Sequence, residues 1–114
     1  MSNKIVSVLI KRLSRIGIDR STIDKLLSGL PIKQEETAFI ILDEARKLNP
    51  QVLVEKEYGG LNTEPVYATI LSLGDKLIVY MASPREHEIR LLDNTMYAEA
   101  LWIIDEFIKR NTGA

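Results

Sequence analysis

Residues 66–83 read VYATILSLGDKLIVYMAS, two β-prone runs on either side of Gly74-Asp75. A two-residue connection of this type makes a tight hairpin, because glycine and aspartate accept the backbone twist such turns need. With Leu73 opposite Lys76, side-chain alternation sorts the hairpin into two faces. One carries Tyr67, Thr69, Leu71, Ile78, Tyr80 and Ala82; the other carries Val66, Ala68, Ile70, Leu77, Val79 and Met81. Neither face is polar. An antiparallel ribbon open to water alternates apolar with polar residues, so this one needs cover on both sides and belongs at the centre of a sheet.

Outward from the hairpin, residues 52–58 form another period-two run that turns polar towards its end, followed by a loop that Gly59-Gly60 opens and Pro65 closes. Residues 86–92 read either as a fourth, edge strand or as an extended linker. The remaining segments have helical period. Over residues 3–16, Ile5, Val6, Leu9, Ile10, Leu13 and Ile16 share a face, with Gly17 suited to the helix end. Ser21 is the expected cap of a short second helix built on Ile23, Leu26, Leu27 and Leu30. A third helix over about 34–48 buries Ala38, Ile41, Leu42, Ala45 and Leu48 and stops at Asn49-Pro50. Asp93-Asn94-Thr95 supplies caps for a last helix, whose expected core stripe is Met96, Tyr97, Ala100, Leu101, Ile104, Phe107 and Ile108. The tail from Asn111 onward is expected to fray. These elements predict an α+β fold in one domain, 1–114. Its helical part is 1–48, an antiparallel sheet of three or four strands spans 51–92, and the C-terminal helix is 94–110.

A 114-residue chain is long enough to bury roughly two-thirds of its unfolded surface. No apolar run approaches the ~18 residues of a membrane helix, and charges interrupt the N-terminus as no secretory signal does. The absence of cysteine excludes disulfides, thiolate zinc sites and cysteine nucleophiles, and a cytoplasmic setting is expected. Fourteen Ile with abundant Lys and Glu fit a thermophilic composition. Charge is unevenly spread: residues 1–33 hold seven basic side chains against two acidic, residues 34–114 eight against fourteen. Such asymmetry marks either a polyanion-binding face or a helix that docks on its own acidic partner.

Four groups of residues carry candidate chemistry. His87, the one histidine, lies in Pro84-Arg85-Glu86-His87-Glu88-Ile89-Arg90. Strand alternation puts Arg85 and His87 on one side and Glu86, Glu88 and Arg90 on the other, the pattern of an exposed, charge-laced edge. Gly59-Gly60 leads to a strand, with neither a P-loop nor a dinucleotide fingerprint. Lys4, Lys11, Arg12 and Arg15 line the outer side of the first helix and are candidate polyanion contacts, though no aromatic platforms accompany them. Trp102 falls opposite the last helix's core stripe, between Glu99, Asp105, Glu106 and Lys109; one of the first two helices covers it, or a partner does. Ile40 is similarly stranded among charges on the third helix. Trp102, Glu99, Glu106 and Ile40 are therefore the candidate partner interface. Asp105–Lys109 and Glu106–Arg110 are the expected ion pairs of that last helix.

The order helix, strand, hairpin, helix over residues 36–110 resembles the C-terminal two-thirds of roadblock/LC7-type domains. The matching pieces are 52–58, 66–73, 76–83 and the helix around 97–109. In that family a helix and a hairpin precede the central helix, where residues 1–33 here read as two helices. The resemblance implies a small dimeric scaffold of the kind associated with small GTPases and motors. The expected function is a small non-enzymatic interaction or regulatory module, homodimeric or bound to a protein partner, with no cofactor, metal or membrane. The alternative is a winged-helix-like nucleic-acid-binding regulator that uses the basic face of residues 3–16.

Overall fold

The structure, a computed structural model, describes residues 3–59 and 61–112. Strands β2 (Val66–Leu73) and β3 (Lys76–Ala82) pair in the register their alternation requires, with Leu73 opposite Lys76 and Tyr67 opposite Ala82. Strand β1 (Gln51–Tyr58) adds to β2, and β4 (His87–Asp93) adds to β3. The result is a four-stranded antiparallel sheet in the order β1-β2-β3-β4, with the apolar hairpin in the two central places. The segment expected as strand or linker over 86–92 is thus a strand, running His87–Asp93. A register shift between Val52 and Val54 leaves Leu53 as the extra residue of a bulge in β1.

Helices α1 (Asn3–Arg15), α2 (Arg20–Leu27) and α3 (Glu35–Arg46) cover one face of the sheet. Their Leu9, Leu13, Leu26 and Ile41 pack with Leu71, Ile78 and Tyr80 in one core. After a short 3-10 turn, Asn94–Met96, helix α4 (Tyr97–Thr112) covers the other face. There Ala100, Ile104 and Phe107 meet Ala68, Ile70, Val79 and Met81 in a second core. The α+β fold is therefore three layers deep, and each fully buried aliphatic side chain in it contributes about 1.5–3 kcal/mol.

Local signals set the element ends. Gly17 takes φ 100° and closes α1, and Asn49 takes φ 54° after α3. Helix α2 is capped by Asp19, not Ser21: the Asp19 carboxylate accepts a hydrogen bond from the Thr22 backbone N–H at 2.8 Å. Two potential caps stand within two residues, and the earlier one is placed where the exposed N–H groups point. The core stripe of α4 is also rotated from the expected one. Ile103 is buried, while Tyr97 and Leu101 are exposed, because the sheet meets the flank of the helix that bears Ile103 and Phe107.

The sheet's two edges differ. Ile32 exchanges two backbone hydrogen bonds of 2.9 Å with Ile89, closing the outer edge of β4. β1 has no strand on its outer side among the described residues. β4 is also not the exposed, charge-laced edge expected: with helices on both faces of the sheet, Glu88, Ile89, Leu91 and Leu92 are all buried.

Candidate functional site

The outer face of α4 departs from a simple polar surface. Trp102 is 61% exposed. Helices α1 and α2 lie across the sheet from it and do not reach it, so the intramolecular cover weighed for this ring is absent. Tyr97 and Leu101, on the flank towards β1, are also exposed, as is Leu53 in the β1 bulge. Leu53 and Tyr97 line one shallow depression together with Ser72, Leu77 and Asn94.

Carboxylates frame the ring. Glu99 and Asp105 are exposed and Glu106 is half-buried. The expected i, i+4 pairs do not form. Lys109 turns back one turn to Glu106 at 3.7 Å, while Arg110 reaches across to Glu86 at 3.2 Å and Glu88 at 3.9 Å. Arg110 also lies 5.4 Å from the centre of the Phe107 ring. Glu99 and Asp105 consequently enter no ion pair among the described residues, so the outer face carries two unpaired carboxylates and the Glu106–Lys109 pair around an apolar centre. Ile40 does not belong to this surface. It is half-buried on α3, on the far side of the sheet, next to an exposed Phe39.

The end of α4 is anchored, contrary to the fraying expected there. Asn111 is 3% exposed. Its amide nitrogen donates to Glu86 Oε2 at 2.8 Å and to the Phe107 carbonyl at 2.9 Å, and its Oδ1 accepts from the Ser83 hydroxyl at 2.6 Å. Arg85 donates to the Asn111 carbonyl at 2.9 Å. The turn between β3 and β4 is thereby stapled to the helix terminus. Burial acts to raise the Glu86 pKa, but the hydrogen bonds from Asn111 and Arg110 outweigh it and hold the carboxyl below its ordinary value. Gly113 and Ala114 lie outside the described residues.

The basic stripe of α1 is divided. Arg12 Nε donates to Glu44 Oε1 at 2.9 Å, and Lys47 donates to Glu44 Oε2 at 2.8 Å. The Lys47 hydrogen bond, helped by Arg12 against the cost of burial, keeps the Glu44 carboxyl below the usual range. Arg12 is therefore a docking residue between α1 and α3. Lys4, Lys11 and Arg15 stay exposed along one side of α1.

His87 does not sit between carboxylates. Its Nε2 is 3.5 Å from Glu35 Oε1, and its Nδ1 is buried without a hydrogen-bond partner. Glu88, on the opposite sheet face, accepts from Arg90 Nε at 2.6 Å. Gly59 contributes a tight turn at φ 80°, and Gly60 lies outside the described residues. The Tyr67 hydroxyl accepts from Arg46 at 2.7 Å and donates to Glu55 at 2.8 Å, tying α3 to β1. Burial, then the Glu55 carboxylate, pushes its pKa up, which suits a structural phenol and not a nucleophile. No group of metal-ligating side chains occurs among the described residues.

No family model, curated protein or solved structure matches the chain. The functional reading therefore rests on the surfaces described above.

Proposed function

We propose that this protein is a non-enzymatic interaction module that assembles with further copies of itself through the outer face of α4, a homodimer being the smallest assembly. The observation that carries this reading is Trp102, 61% exposed at the centre of that face. A tryptophan presents about 150–250 Å² to a partner and is enriched among residues that dominate binding energy. Leu101 adds exposed apolar area on the adjoining flank, and Glu99 and Glu106 supply a polar rim of the kind that surrounds such centres. The placement of His87 supports the non-enzymatic part, since its ring is wedged between the sheet and α3 with Glu35 as its one ionic neighbour. The layout resemblance of residues 36–110 to roadblock/LC7-type scaffolds points the same way.

The nucleic-acid alternative has less support. Arg12 is engaged by Glu44, leaving Lys4, Lys11 and Arg15, and the β1–β2 pair that would serve as a wing is part of the central sheet.

Light scattering behind gel filtration tests the proposal. The wild-type chain is expected to exceed monomer mass at tens of micromolar, and Trp102→Ala to remain folded but weaken assembly by about tenfold or more. A wild-type protein that stays monomeric, or a variant that assembles unchanged, removes Trp102 from any interface.

A further inference from the structure

On the face of the molecule away from α4, α1, the end of α2 and the β2–β3 turn line an open groove of about 580 Å³. Its floor is Val6 and Ile10 of α1, and Leu27, the last residue of α2, stands 49% exposed at its side. Lys11, Asp75 and Lys76 complete the lining, and Lys76 pairs with Asp93 at 4.0 Å. The cations do not end there. Lys4, Lys11 and Arg15 recur at seven and four residues, which places them on one side of α1, alongside the groove.

This surface is the complement of the outer face of α4. The groove is an apolar trough with Lys4, Lys11 and Arg15 along its side; the helix face is an apolar ridge, Trp102, flanked by the unpaired Glu99 and Asp105 and by the Glu106–Lys109 pair. Resting on the reading that Trp102 mediates self-assembly, we infer that the outer face of α4 of one copy docks in the α1–α2 groove of the next. A helix laid in an apolar groove between opposite charges is a recurrent recognition mode. Pairing α4 with a second α4 is electrostatically poorer. Burying both Trp102 rings about a two-fold axis brings the unpaired Glu99 and Asp105 of the two copies together, three residues either side of the ring, and like charges so placed disfavour the pairing.

The geometry fixes the type of assembly. Groove and ridge lie on opposite faces of the sheet, so the contact is head-to-tail. Two copies joined once leave one groove and one helix free, and further copies add until a ring closes or a filament grows.

The experiment uses full-length protein and two variants that each disable one surface. Trp102→Ala removes the ridge and keeps the groove. Leu27→Asp spoils the groove at a half-exposed position and keeps the ridge, and Lys11→Glu does the same at an exposed one should Leu27→Asp not fold. Sedimentation velocity is expected to show wild-type mass rising with concentration past the dimer, and each variant alone associating at least about tenfold more weakly. An equimolar mixture of a ridge variant and a groove variant is expected to form a one-to-one pair and nothing larger, since only one complementary contact remains. Raising salt should weaken wild-type assembly. If the groove variants assemble like the wild type while Trp102→Ala does not, α4 pairs with itself or another surface and this inference fails, with the role of Trp102 intact. If the wild type never leaves the monomer, the role of Trp102 fails as well.

Discussion

Replacing Asn111 with alanine measures how firmly the end of α4 is held. The side chain makes two hydrogen bonds outside its own helix: it accepts from Ser83 at 2.6 Å and donates to Glu86 at 2.8 Å. The neutral bond is worth about 1 kcal/mol and one to a charged acceptor about 1.5–3 kcal/mol. Glu86 keeps Arg110 at 3.2 Å and its side chain is 28% exposed, so water and the guanidinium take up part of the loss and the lower end applies. The backbone bond from Arg85 survives the substitution. The expected destabilisation is about 2–3 kcal/mol. With 114 residues and about 2.1 cal/mol/K of unfolding entropy per residue, Tm should fall by about 8–12 °C. Asn111→Asp is a sharper probe because it preserves shape. At neutral pH it sets a second carboxylate against Glu86 in a buried site, so one of the two has its folded pKa raised. Protonation then favours the folded form, and the deficit relative to wild type should shrink as pH falls towards about 4. Urea unfolding across pH reads both effects. Should both variants stay within about 0.5 kcal/mol of wild type, as ordinary surface changes do, the anchoring described here is wrong.

Two further outcomes follow from local geometry. Hydrogen bonds from Thr22 and from Thr95 hold Asp19 and Asp93 below their ordinary pKa, and Glu44 and Glu86 are lowered by their own donors. Each group binds its proton more readily unfolded than folded, so its contribution is complete above the unfolded carboxylate range, about pH 4, and is lost as pH falls through the lower folded values. The urea midpoint should thus decline below about pH 4, with Asp19→Asn reducing the decline; a midpoint that rises on acidification contradicts the assignment. Gly59→Ala should be more damaging than Gly17→Ala. Both take positive φ, but a Cβ on Gly59 would stand 2.6 Å from Thr63 Oγ1 and 2.8 Å from the Glu64 carbonyl, whereas Gly17 faces open space. The conformation alone costs roughly 1–2 kcal/mol, and equal losses of Tm at the two sites would show that the loop yields to remove the clash.

How much of this was legible in the sequence depended on the range of the interactions involved. The hairpin register could be read because Gly74-Asp75 fixes it locally and alternation carries it along both strands; Leu73 does oppose Lys76. The demand for cover on both faces followed, and α1–α3 and α4 meet it. Asn111 was hidden because its partners, Ser83 and Glu86, lie in a distant turn, and a polar residue near a chain end looks solvated. Glu88 was hidden for the same reason: a carboxylate 1% exposed is tolerable only beside Arg90 and Arg110, and the second of these comes from another layer.

Trp102 shows where sequence and structure have to be combined. Its position off the apolar stripe was evident from spacing, but spacing does not say which helices share its side of the sheet. The three-layer arrangement does. With α1 and α2 on the opposite face, no helix of the same chain is near enough to cover the ring. The surplus of basic side chains in residues 1–33 has a related resolution. Arg12 meets Glu44 within the chain, while Lys4, Lys11 and Arg15 stay beside an apolar groove that none of the described residues fills. A ridge and a trough of opposite charge thus stand on opposite faces of one sheet. In the assembly inferred above, a second copy supplies the surface that covers each.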